Sequence, residues 1–174
     1  IDLMLNSDRE NLRVLGLRLS GSNKAWMDHL PELVLDKSSV VLLELSSRVA
    51  SAREMDQMDR IQALTDIALN PGADKLVMSV VGSVAADDVL QLAESISSRG
   101  DSAPKIFVHL IERSAMKAPI EATNLLAVYL SGWNDSEVPD GSLPLLLTAW
   151  HRGLKRSGQL PTEVFGKVSE QHWS

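Results

Sequence analysis

Proline at the head and glycine at the foot of short apolar stretches recur along the 174 residues of the chain. Pro104, Pro119, Pro144 and Pro161 each stand at or just before the start of a stretch whose apolar residues return every three or four positions. Gly21, Gly100, Gly132 and Gly158 each close such a stretch. Proline lacks the amide that a first helical turn leaves unpaired anyway, and glycine accepts the left-handed backbone that ends a helix. The pattern therefore marks helix ends, at intervals too short for anything but many short helices.

The N-terminal half reads the same way. Ser7-Asp8-Arg9-Glu10 and Ser51-Ala52-Arg53-Glu54 have the spacing of capping boxes. Leu12, Leu15 and Leu19 make an apolar stripe behind the first, and Asn23 can cap a helix through Trp26, Met27 and Leu30. Pro31 then either breaks that helix or begins a further turn. Val41, Leu42, Leu45 and Val49 share one helical face, which favours helix over a buried strand for residues 40–45. Met58, Ile61, Leu64, Ile67 and Ala68 form the clearest stripe, stopped by Asn70-Pro71-Gly72.

Further helices are expected at 73–83 and 86–98, and around Ile106, Val108, Leu110 and Ile111. Others should carry Ile120, Leu125, Leu126 and Tyr129, then Leu146, Leu147, Trp150 and Leu154, then Val164, Phe165 and Val168. The total is nine or ten helices of about 9 to 17 residues. With four Trp, two Phe and one Tyr, the core must be largely aliphatic, which suits packed helices better than a β-sandwich. No strand-turn-helix unit with a GxGxxG turn is present. The expected fold is all-α, a single domain over residues 1–174, and the start at Ile1 suggests excision from a longer chain.

Two internal similarities refine the architecture. Residues 8–17 align with residues 36–45 on every core position, 28 residues later, and residues 73–81 align with 103–111, 30 residues later. Helix pairs repeated at this period bury their apolar faces by stacking. The Asp8, Leu12-Arg13, Leu15, Leu17 pattern, then Leu30-Pro31-Glu32-Leu33, then Asp36 and Val40, resembles HEAT-type and armadillo-like helical hairpins over residues 1–70. Val41 stands where the repeat would place a second arginine, opposite Arg13, and the period drifts. The resemblance implies an irregular α-solenoid of stacked antiparallel hairpins. A single globular helical bundle is the alternative.

Charge and residue type limit the chemistry. Seventeen Lys and Arg against 23 Asp and Glu leave a net charge of −6, the wrong sign for nonspecific binding to nucleic acid or to an anionic membrane. No apolar run reaches a membrane span and no signal peptide opens the chain, so no membrane insertion is expected. The absence of Cys excludes disulfides, thiolate zinc sites and a Cys nucleophile, and fits a reducing, cytoplasmic setting.

Ser114-Ala115-Met116-Lys117 has the SxxK spacing in which a lysine can activate a serine, but its companion signatures are missing. His29, His109, His151 and His172 lie too far apart for local metal ligation. Glu54, Asp56 and Asp59 gather at a helix start, where negative charge is favourable. No catalytic residue, metal or cofactor is expected.

The partner-binding candidates are C-terminal. His151-Arg152-Gly153-Leu154-Lys155-Arg156, with Lys167 beyond, is the one concentrated basic segment, and Trp150 stands beside it as a possible anchor. Trp133 sits in a long acidic loop at 131–141. Trp150, Arg152, Lys155, Arg156, Lys167 and Trp133 are thus the expected contacts to another protein with an acidic surface. The function expected is a non-enzymatic interaction, assembly or adaptor domain. Its rivals are a nucleic-acid-binding helical repeat and an enzyme or ligand binder with a site between helices.

Overall fold

The computed structural model describes residues 1–20, 24–73, 75, 80–81, 84, 86–99, 105–131 and 142–172. Among them every regular element is a helix and no strand occurs. The chain divides into two compact units, Ile1–Val84 and Ala85–Ser174.

The first unit contains α1 (Asp2–Leu5), α2 (Glu10–Ser20), α3 (Ala25–Asp28), α4 (Leu30–Leu33), α5 (Ser39–Ser51) and α6 (Gln57–Leu69). Helix α5 is central, with α2, α4 and α6 packed on it. Its whole apolar stripe of Val41, Leu42, Leu45 and Val49 is fully buried, as are Leu17 of α2 and Leu64 and Ile67 of α6. Pro31 lies in the first turn of α4, so it begins a new turn instead of only ending the old one. Its missing amide cannot bond back to Met27, which is why α3 and α4 are two separate single turns.

Helices α2 and α5 run side by side in the same direction. At their N-terminal ends the Ser38 hydroxyl donates to Glu10 Oε2 at 2.6 Å. Toward their C-terminal ends Arg18 Nε donates to Glu44 Oε2 at 3.0 Å, and Arg48 Nη2 to the Arg18 carbonyl at 2.9 Å. The turn before α5 is held from both sides. Arg13 of α2 donates to both oxygens of Asp36, and Asn70 Nδ2 donates to the carbonyls of Val34 and Asp36.

Several local expectations are corrected here. Helix α2 buries Val14, Gly16, Leu17 and Ser20, whereas Leu15 and Leu19 are 40% and 57% exposed. Gly16 favours this face, since a Cβ there would stand 2.9 Å from Leu5 Cδ2 and 3.0 Å from Met4 Cβ, so the glycine lets α1 lie close without those side chains shifting. Neither capping box forms. Ser7 Oγ accepts from the Arg9 amide at 3.2 Å, while the Glu10 carboxylate is taken by Ser38. Ser51 ends α5 instead of opening α6, its hydroxyl donating to the Ser47 carbonyl at 2.9 Å. Asp56 caps α6 by accepting from the Met58 amide at 2.8 Å. Met58, counted in the stripe, is 71% exposed. Asn23 and most of 73–83 lie outside the described residues.

The second unit contains α7 (Ala86–Ser97), α8 (Lys105–Lys117), α9 (Pro119–Ser131), α10 (Ser142–Ser157) and α11 (Pro161–His172). Helix α8 packs on α7, α9 and α10, and α9 also packs on α7, α10 and α11. Phe107, Leu110 and Ile111 of α8 are fully buried with Leu92, Ile96, Leu146, Leu154 and Val164 around them. Gly153 sets the closeness of α8 and α10, because a Cβ on it would collide with the Glu112 carbonyl. Helix α10 ends in a left-handed Gly158 at φ 75°. The Gly158 amide bonds to the Lys155 carbonyl at 3.2 Å and the Gln159 amide to the Leu154 carbonyl at 3.1 Å, the paired closure of a Schellman ending.

Candidate interaction site

The basic segment occupies the last turns of α10, where its charge complements the helix dipole. Arg152, Lys155 and Arg156 are exposed, and so is Lys167 on α11. Two of the four have a partner among the described residues. Arg156 Nη1 lies 2.6 Å from Glu112 Oε1, and Arg152 Nε lies 3.8 Å from Glu112 Oε2. Glu112, on α8, is 13% exposed and takes both guanidinium groups at its two oxygens. The sequence reading did not single out Glu112. Its signal was faint, the one acidic residue of a helix that also carries Lys105, Arg113 and Lys117, some 40 positions upstream.

Trp150, expected as a possible anchor, lies in the core. It is 6% exposed, and its indole N–H donates to Thr123 Oγ1 at 2.9 Å. The Thr123 hydroxyl in turn donates to the Pro119 carbonyl at 2.7 Å, so the relay is closed inside the unit. A side chain spent on the core has no face left for a partner. Among the described residues the exposed aromatic is Phe165 of α11, 54% accessible, whose ring centroid lies 5.3 Å from that of Trp150. Leu143 and Leu147 of α10 are 37% and 42% exposed, and Leu160 before α11 is 60% exposed. Leu147 was expected on the packed face of its helix. The buried face of α10 is Leu146, Ala149, Trp150 and Leu154, which leaves Leu147 at its edge, and on α11 Val164 takes the fully buried position beside Phe165. Trp133 lies outside the described residues.

The remaining candidates have plain structural roles. Ser114 is 1% exposed and its hydroxyl has no hydrogen-bond partner, while Lys117 is exposed, so the serine offers no route to a substrate. His29 Nε2 lies 3.4 Å from Asp2 Oδ1. Among the described residues no group of three or more His, Cys, Asp or Glu is placed to hold a metal ion. No helix among them is long and apolar enough to cross a membrane. No protein family, curated protein or solved structure matches the chain.

Proposed function

We propose that this chain is a non-enzymatic protein-interaction domain, built of stacked helical hairpins, that meets an acidic surface of its partner through α10 and α11. The stacking is supported by the contacts of the first unit, where Ser38 and Glu10, equivalent in the repeat, touch at a separation of 28 residues. It is supported in the second unit by alternate helices that pack together, α8 with α10 and α9 with both α7 and α11.

The observation that carries the function is the company kept on α10 and α11. Half-exposed Leu147 and Phe165 share these two helices with exposed Lys155 and Lys167. Apolar side chains left in water are worth burying against a partner, and flanking charges steer the approach and set register. Among the described residues, neither lysine has a carboxylate partner such as Arg156 has at Glu112.

Affinity capture with the whole chain tests the reading. A protein retained by the wild type and lost by both Phe165→Ser and the Lys155→Glu, Lys167→Glu pair, at unchanged helical content, supports it. Retention by both variants overturns it.

A further inference from the structure

The first unit carries a groove that the basic edge of α10 and α11 does not involve. Two depressions of about 510 and 470 Å³ lie along α6 and share Pro31, Val34 and Asp66, so they form one continuous trough. Its apolar lining includes Met27, Leu30, Val34, Met55 and Ala63 in the first depression. Leu35, Leu69 and Pro71 continue it in the second. The trough exists because of Pro31. A continuous helix over 25–33 would present one smooth flank to α6, but the chain makes two single turns there instead.

Charge is distributed unevenly along it. Glu54, Asp56, Asp59 and Asp66 line the first depression, and no Lys or Arg does among the described residues. Arg60, the one cation on α6, directs its Nη1 to the carbonyls of Met55 and Ala52 at 3.3 and 3.4 Å. Asp66 at the middle is bridged by Gln62, whose amide donates to both carboxylate oxygens. The opposite end is aliphatic, with Leu35 74% exposed.

We infer that this trough docks an amphipathic helix of another protein, with lysine or arginine over Glu54 and Asp59 and aliphatic anchors over Leu30, Leu35 and Leu69. The 13 residues of α6 run about 20 Å, which matches three to four turns of an added helix. A trough of that length with carboxylates on its rim fits a helix laid lengthwise. A small ligand instead calls for polar groups converging inside a closed pocket. Met27 and Met55 give walls that adapt to the shape of the anchors. The carboxylates of Glu54 and Asp59 in the lining favour a basic occupant and repel an acidic one.

The test pans a displayed library of helical peptides of about 14 residues against the whole chain. Recovered peptides should cluster lysine or arginine at one end and carry leucine-like residues three and four apart. Glu54→Lys combined with Asp59→Lys should weaken them on the order of tenfold, and Leu35→Glu should weaken them as well. Asp56 is left alone because it caps α6, and circular dichroism checks that each variant keeps its helices. Three results would overturn the inference: acidic or neutral winners, basic winners indifferent to both variants, or no winners at all. Self-association of the chain that the double variant abolishes would also overturn it, by giving the trough to a second copy.

Discussion

Arg13 holds Asp36 by two hydrogen bonds, Nε to Oδ2 at 2.6 Å and Nη2 to Oδ1 at 3.1 Å, across 23 residues of chain. The same guanidinium donates from Nη1 to the Ser7 carbonyl at 2.8 Å. Asp36 also accepts from the Ser38 amide at 2.9 Å, one residue before α5 begins. One arginine therefore fastens the start of α2 to the start of α5, and it does so in a setting where the two side chains are only 18% and 8% exposed.

Removing the cation alone should be costly for that reason. Arg13→Leu leaves a largely buried carboxylate without its charged partner and should lower stability by about 2–3 kcal/mol. Adding Asp36→Asn, which keeps an acceptor for the Ser38 amide, should recover a substantial part. Urea unfolding of the two variants checks this; equal losses in the single and double variants would refute the coupling.

The Trp150–Thr123 bond makes a second, sharper prediction. Thr123→Val keeps the side-chain shape but strands a buried indole N–H, at a cost of about 1–2 kcal/mol. Thr123→Ser keeps the hydroxyl and should cost less. Thermal unfolding that ranks serine below valine would contradict the relay through Pro119.

Two glycines on neighbouring helices should respond with opposite sign. A Cβ at Gly153 meets the Glu112 carbonyl and stands 2.7 Å from Ala115 Cβ, so Gly153→Ala should destabilise by about 1–3 kcal/mol. A Cβ at Gly166 meets nothing within 4 Å, so Gly166→Ala should stabilise by about 0.5–1 kcal/mol through helix propensity. Melting temperatures that move together would show the α8–α10 approach to be looser than described.

Ser114→Ala removes a buried hydroxyl that has no partner and should leave stability unchanged or raise it by about 1 kcal/mol. Calorimetry of the variant decides it, and a loss above that amount would mean that the hydroxyl is bonded after all.

What could be read beforehand divides along a physical line. The stripe of α5 was legible because Val41, Leu42, Leu45 and Val49 are the one apolar face that segment offers, and all four are buried. The face of α2 was not. Val14 and Leu17 compete there with Leu12, Leu15 and Leu19, and α1, lying against Gly16, decides between them from outside the helix. Both capping boxes failed for a similar reason. Glu10 finds Ser38 across the fold, a better partner than its own first turn, and Asp56 caps α6 in place of Ser51.

The site followed the same rule. The exposure of Arg152, Lys155, Arg156 and Lys167 could be read from their place off the apolar stripe. The burial of Trp150 could be read from its place on that stripe, but not its hydrogen bond, since its partner Thr123 stands 27 residues away. Nor could the tie of Arg156 to Glu112, which changes how its charge should be tested. Reversal at Arg156 would set two carboxylates against each other within the fold, whereas Lys155 and Lys167 can be reversed without that confusion.

The most direct measurement is therefore the association rate of the captured partner with the wild type and with Lys155→Glu, Lys167→Glu, at low and at high salt. If α10 and α11 meet an acidic surface, the variant should associate about tenfold more slowly at low salt. The gap should narrow as salt screens the charges, and the melting temperature should stay nearly constant. Rates that are equal for the two proteins and indifferent to salt would contradict the account, leaving the basic residues as a solvated helix end.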